Sequence, residues 1–189
     1  YLLLCSYMFV LKNNYYLYID NTKIFDLSLI KKRNKFTIIY RNLGKLETLD
    51  IIKKFRAKCK RRGVKFFIAN NNLLAIKCKA DGLYLSSYNN CHYNNFSKLE
   101  IIGSAHNNRQ INHKIRQRCN KIVFSRLFET NYTDKLGHLG IVKFNLLTKD
   151  IKLPTIALGG IRQKNLNKLK LVCSNSFAIL SELKNNRAN

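Results

Sequence analysis

Tryptophan is absent from this chain, proline occurs once, at Pro154, and only 10 acidic side chains stand against 35 lysines and arginines, a formal net charge of +25. A surplus of that size points to anionic partners. One class is nucleic acid, whose phosphates such side chains neutralise. Yet the basic residues follow no single stripe and no nucleic-acid motif accompanies them; the densest runs are KKRNK at 31–35 and KCKRR at 58–62. A solvated basic surface, of the kind an AT-rich coding sequence produces without selection for any ligand, stands as the other reading. The six cysteines (5, 59, 78, 91, 119 and 173) form no C-x-x-C pair and combine with no histidine at a zinc spacing. This excludes a zinc knuckle and leaves free thiols of a reducing compartment, several at core-facing positions of helices. Long apolar runs are missing too. The opening YLLLCSYMFVL is about half as long as a membrane span and lacks a basic leader. Because the chain starts with tyrosine, a truncated or mis-started reading frame is expected, so 1–15 is set apart as a poorly defined segment and 16–189 as one domain.

What is present is an alternation. Short β-branched or aromatic runs predict strands at 16–20, 36–41, 64–69, 82–85, 100–104, 121–125, 154–158 and 177–180. Helices are predicted over 47–62 (Ile52, Phe55 and Cys59 inward, Gly63 as the stop), 107–120 (Ile111, Ile115, Cys119) and 163–173 (Leu166, Leu169, Cys173). Nearly continuous apolar strands between amphipathic helices call for a parallel sheet covered by helices. Eight such units predict a small α/β protein, a (β/α)8 TIM barrel, with an open doubly wound sheet as the alternative.

In such a barrel the chemistry lies where strands end. The residues there are hydroxyls, amides and arginines with hardly a carboxylate, a composition suited to an anion. LPTIALGGIRQKN at 153–165 carries a glycine pair after the seventh strand. Gly159 and Gly160 either make a tight turn or bring bare backbone to a phosphate at a helix start, with Ser181 adding a hydroxyl. Arg41, ending the second strand, is a phosphate clamp or a surface arginine. Ser104 and His106 in GSAH have neither a glycine elbow nor a carboxylate to orient them, which disfavours nucleophilic catalysis. FETNYTDK at 128–135 is a flap or a solvent-facing loop.

The order of four segments carries a resemblance. NNNLLAIKCKADGLYL (70–85), IIGSAH (101–106), KIVFSRLFETN (121–131) and LPTIALGGIRQKN (153–165) resemble the successive signatures of the thiamine-phosphate synthase family, which includes the related thiazole tautomerases. That resemblance implies coupling of a hydroxymethylpyrimidine diphosphate to a thiazole phosphate: magnesium-bound pyrophosphate leaves, and the thiazole nitrogen captures the pyrimidine cation. It implies catalytic roles for Arg41, Ser104 and Thr130, and substrate binding by Lys135, Gly159, Gly160, Leu180 and Ser181. It also implies Mg2+ as cofactor, yet the family's two magnesium aspartates are Asn70 and Asn89 here, and amides are poor substitutes for carboxylates around a hard dication. The tautomerase branch has a histidine shortly before the shared F-E-T; here that position is Arg126, a poor general base.

The expectation is a cytoplasmic enzyme of thiamine biosynthesis whose partners are phosphorylated small molecules, with no membrane association. Two alternatives stay open. One is a divergent member, tautomerase-like or a non-catalytic phosphate-ligand binder, that has lost the magnesium carboxylates. The other is a basic nucleic-acid-binding protein.

Overall fold

Apolar runs without a polar alternate must be covered on both faces, and the strands meet that need by closing on themselves. The protein was analysed as a computed structural model that describes residues 14–23, 26–30, 35–42, 44, 47–92, 99–130, 137–174 and 176–179. In order the strands are β1 (Asn14–Ile19), β2 (Phe36–Tyr40), β3 (Lys65–Ala69), β4 (Gly82–Leu85), β5 (Glu100–Ala105), β6 (Lys121–Ser125), β7 (Thr155–Leu158) and β8 (Ser176–Ile179). Each pairs in parallel with the next, and β8 returns to β1 with Tyr15 opposite Phe177. The sheet is therefore a closed eight-stranded barrel, and the open doubly wound alternative is excluded.

Strand periodicity sorts the core into two clusters. Tyr16, Tyr18, Phe67, Tyr84, Ile102 and Val123 belong to the inner one. Their sequence neighbours, among them Tyr15, Leu17, Phe66, Leu83 and Phe124, pack outward with the helical residues Ile52, Phe55 and Cys59.

The α-helices are α1 (Leu49–Arg61), α2 (Asn72–Lys77), α3 (Asn108–Arg116) and α4 (Gly140–Thr148). In α1 the expected Ile52, Phe55 and Cys59 are the buried face, with Asp50 in the first turn and Lys58, Lys60 and Arg61 in the last, complementing the helix dipole. Gly63 follows at φ +62°. Glu47, expected inside this helix, instead turns back and accepts hydrogen bonds from the backbone N–H and hydroxyl of Thr22 at 2.9 and 2.7 Å.

Two predicted stripes need correction. In α3 the inward residues are Ile111 and Lys114, while Ile115 is 45% exposed. A Cβ on Gly103 would lie 2.9 Å from Cγ and Cδ of Lys114 and 2.7 Å from Sγ of Cys119. The missing side chain thus opens a groove that the lysine stem fills. The segment after β7 is a 3-10 helix, Gln163–Leu171. At three residues per turn Leu166, Leu169 and Val172 share a face, so Val172 is buried and Cys173, placed inward by the α-helical period, is exposed. No helix among the described residues is long and apolar enough to cross a membrane.

Candidate functional site

A cavity of about 680 Å³ opens at the C-terminal ends of the strands. Tyr84, Leu158 and Ala178 line its base, where the inner cluster ends. Around the mouth stand Arg41 after β2, Ser86 and Tyr88 after β4, and Ser104 and His106 from β5. Ser125, Arg126 and Thr130 from β6 and its loop, Lys143 on α4, and Gly159 and Gly160 after β7 complete it. No carboxylate of the described residues lines this cavity. Among the described lining residues two arginines and one lysine thus stand beside hydroxyls and backbone with no carboxylate, a composition that suits an anionic ligand.

The glycine pair has a reason in the protein itself. Gly159 and Gly160 adopt φ of +109° and +65°, and a Cβ on Gly160 would overlap the backbone of Phe128 and Glu129. Phe128 N–H donates to the Gly159 carbonyl at 3.0 Å, and the Asn165 amide donates to the Gly160 carbonyl at 2.7 Å. Bare backbone here lets the loop after β6 lie directly on the turn after β7, and the turn still lines the cavity.

Other side chains are arranged as follows. Nδ1 of His106 is 2.9 Å from the hydroxyl of Ser125, and the His106 N–H donates to Oε1 of Gln110 at 2.7 Å. The histidine is thus tied to Ser125, on the neighbouring strand. Nε of Arg41 and the hydroxyl of Thr130 are both buried without a hydrogen-bond partner among the described residues. Such groups are costly to leave unmet. The hydroxyl of Tyr88 lies against Ser86 and Arg41, which hold its pKa below the usual phenol value. Lys143 and His138, both lining the cavity, carried no signal in the sequence. Helix α4 has a weak stripe, Phe144 and Thr148 alone being buried, and only that i, i+4 pair next to Lys143 could have pointed to it.

Asn70 and Asn89, at the two expected magnesium positions, are brought together. Oδ1 of Asn70 accepts from Ser86 N–H at 2.9 Å, from the Ser86 hydroxyl at 3.1 Å and from Nδ2 of Asn89 at 3.2 Å. Oδ1 of Asn89 accepts from Cys91 N–H at 3.0 Å. Neither asparagine lines the cavity, and among the described residues no group of three or more His, Cys, Asp and Glu is placed to hold a metal. With one oxygen committed to three donors and the other turned to a backbone N–H, the pair does not fit a hard dication. Lys135, Leu180 and Ser181, expected at the substrate, lie outside the described residues.

Comparison with known proteins agrees with this architecture. The family model described as thiamine monophosphate synthase matches residues 23–183. A thiamine-phosphate synthase of Pelagibacter ubique (strain HTCC1062) is 30% identical over 169 residues, covering 86% of this chain and 82% of that protein. A thiamine-phosphate synthase of Prochlorococcus marinus (strain AS9601) is 35% identical over 133 residues, 67% of this chain but only 37% of its relative. The match thus spans little more than a third of the longer Prochlorococcus protein. Among solved structures, the thiamine phosphate pyrophosphorylase of Pyrococcus furiosus superposes with a TM-score of 0.69 at 17% identity, over 90% of this chain and 86% of that one, which speaks for the fold. With the family model running from just after β1 to beyond β8, the chain belongs to the thiamine monophosphate synthase family.

Proposed function

We propose that this chain forms thiamine phosphate by joining a hydroxymethylpyrimidine diphosphate to a thiazole phosphate, in the cytoplasm. The observation that carries the reading is a cavity at the catalytic end of the barrel that holds Arg41, Arg126 and Lys143 and no described carboxylate. In the reaction the C–O bond to the diphosphate breaks with its electron pair leaving on pyrophosphate, and the thiazole nitrogen lone pair forms the new C–N bond. Negative charge grows on the departing group, and preorganised cations at that point favour the transition state over the ground state. In this reading Arg41, Ser104 and Thr130 face the diphosphate. Gly159 and Gly160 hold the thiazole phosphate, and Lys135, Leu180 and Ser181 are assigned to substrate binding by the resemblance alone. Family members are generally magnesium-dependent, but the poor fit of Asn70 and Asn89 leaves no step to assign to the ion here.

That same asparagine pair favours a second reading, a member that binds a phosphorylated ligand without coupling. One experiment separates the two. The purified chain is incubated with both phosphorylated substrates, with and without magnesium, and thiamine phosphate is assayed after separation. Product formation is expected. Binding of thiazole phosphate without product supports the second reading, and neither product nor binding overturns both.

A further inference from the structure

We infer that this chain grips the diphosphate end of its ligand with protein cations alone and takes up no divalent ion there. The inference rests on the proposed reaction for the identity of the anion, and on the structure for the manner of holding it.

The orientation of both amides is set by groups that can only donate. Ser86 N–H points at Asn70 and Cys91 N–H at Asn89, so the atoms they meet are the carbonyl oxygens. The NH2 of Asn89 must then face Asn70, a donor where a cation would require a lone pair. Reversing it would set two donors against each other at Cys91 and two acceptors at Asn70. The loop is also held from behind. Nζ of Lys114 donates to the Asn89 carbonyl at 2.8 Å, and Nε2 of Gln117 donates to the carbonyls of Asn89 and Cys91 at 3.0 and 2.7 Å. Lys114 is the one fully buried charged residue among the described residues, and a basic group behind Asn89 has the wrong sign to favour a dication.

Positive charge enters the cavity from elsewhere. Arg41 follows β2 and Arg126 follows β6, four strands apart in a ring of eight, hence on opposite sides of the mouth. Nε of Arg41 is buried without a partner among the described residues, as is the hydroxyl of Thr130. A guanidinium presents a planar fork of donors that matches phosphate oxygens and stays charged at any working pH. A diphosphate spanning the mouth would meet one fork from each side.

The test is calorimetric titration of the whole chain with inorganic pyrophosphate at physiological ionic strength, once in excess EDTA and once in magnesium. Saturable binding in EDTA, no more than about twofold tighter with magnesium, is expected. Arg41→Gln and Arg126→Gln should each weaken it about tenfold or more in EDTA. Lys170→Gln, at an exposed residue that does not line the cavity, should leave binding within about twofold, which separates the site from general attraction to a basic chain. The double variant Asn70→Asp, Asn89→Asp should acquire tightening by magnesium. Parent binding that requires magnesium, arginine variants that bind like the parent, or no binding in either condition would each overturn the inference. Should the variants fail to fold, the parent titrations alone decide it. Thiamine phosphate formed only with magnesium would overturn this inference and leave the proposed reaction standing. Pyrophosphate bound in EDTA by a chain that makes no thiamine phosphate would do the reverse.

Discussion

The Nζ of Lys114 lies 2.8 Å from the main-chain oxygen of Asn89, so a helix on the outside of the barrel fixes a loop at its mouth. Its second bond, 2.8 Å to Oε1 of Gln117, holds that glutamine against the same loop. Lys114→Met keeps the stem beneath Gly103 and removes the donor, leaving the buried Oε1 of Gln117 short of a partner and the part-buried Asn89 carbonyl with Gln117 Nε2 as donor. A loss of roughly 1–3 kcal/mol in unfolding free energy is expected, read by urea denaturation. Unchanged stability would mean that water takes over the ammonium's role.

Thr130→Val should separate stability from function. The hydroxyl has no partner among the described residues, so replacing it with a methyl of similar shape leaves the melting temperature unchanged or raises stability by up to about 1 kcal/mol. Affinity for the phosphorylated substrate should fall about tenfold. A lower melting temperature would show that the free protein already uses this hydroxyl.

Gly160→Ala introduces a side chain at φ +65° against the backbone of Phe128 and Glu129. Left-handed strain and overlap together should cost roughly 2–4 kcal/mol. Gly44→Ala, with nothing within 4 Å of its added carbon, serves as the control and should change stability by less than about 0.5 kcal/mol. Equal effects at the two positions in thermal unfolding would refute the close approach.

Glu100 gives a pH dependence. Burial pushes its carboxyl pKa up, but hydrogen bonds from Lys121 and Lys65 outweigh this and hold it below the ordinary carboxylate value, at 2.6 and 2.8 Å. A pKa lowered on folding contributes stability that is complete above the unfolded value and lost as pH falls through the folded one. Glu100→Gln should therefore be less stable than the parent by roughly 1–2 kcal/mol at neutral pH, mostly through the better-buried Lys121. The gap should close below about pH 4. A gap that persists in acid would assign the effect to packing.

Thiol labelling tests the burial pattern. Burial pushes the Cys59 and Cys119 thiols up to about 12 and raises that of Cys78, whereas Cys91 and Cys173 are exposed. Brief alkylation of the native chain followed by mass spectrometry should modify Cys91 and Cys173 and spare Cys59, Cys78 and Cys119. Early labelling of Cys59 would contradict the docking of α1.

Strands were legible because a run buried on both faces has no other reading, and α1 because its apolar stripe is complete. The stripe of α3 was not, since choosing Lys114 over Ile115 depends on a groove made by Gly103 on another element. The 3-10 period after β7 likewise changes which of Val172 and Cys173 is buried, and composition does not report it. At the site, the strand-end position of Arg41 and of the glycine pair could be seen in advance. The contact of Asn70 with Asn89, the bond of His106 to Ser125 and the arrival of Lys143 come from distant segments meeting, which one-dimensional spacing does not encode.

Beyond β6 and β7 the main chain stays joined: Leu127 N–H donates to Leu158, while Leu139 and Gly140 donate to the carbonyls of Arg126 and Leu127, all at 2.9 Å. The two feet of the excursion between residues 128 and 138 are thus clasped to each other and to the barrel, independently of what the chain does between them. Lengthening such a stretch costs little, about 0.6 kcal/mol per doubling. A change of length within this segment therefore leaves Arg126 at its station on the cavity wall.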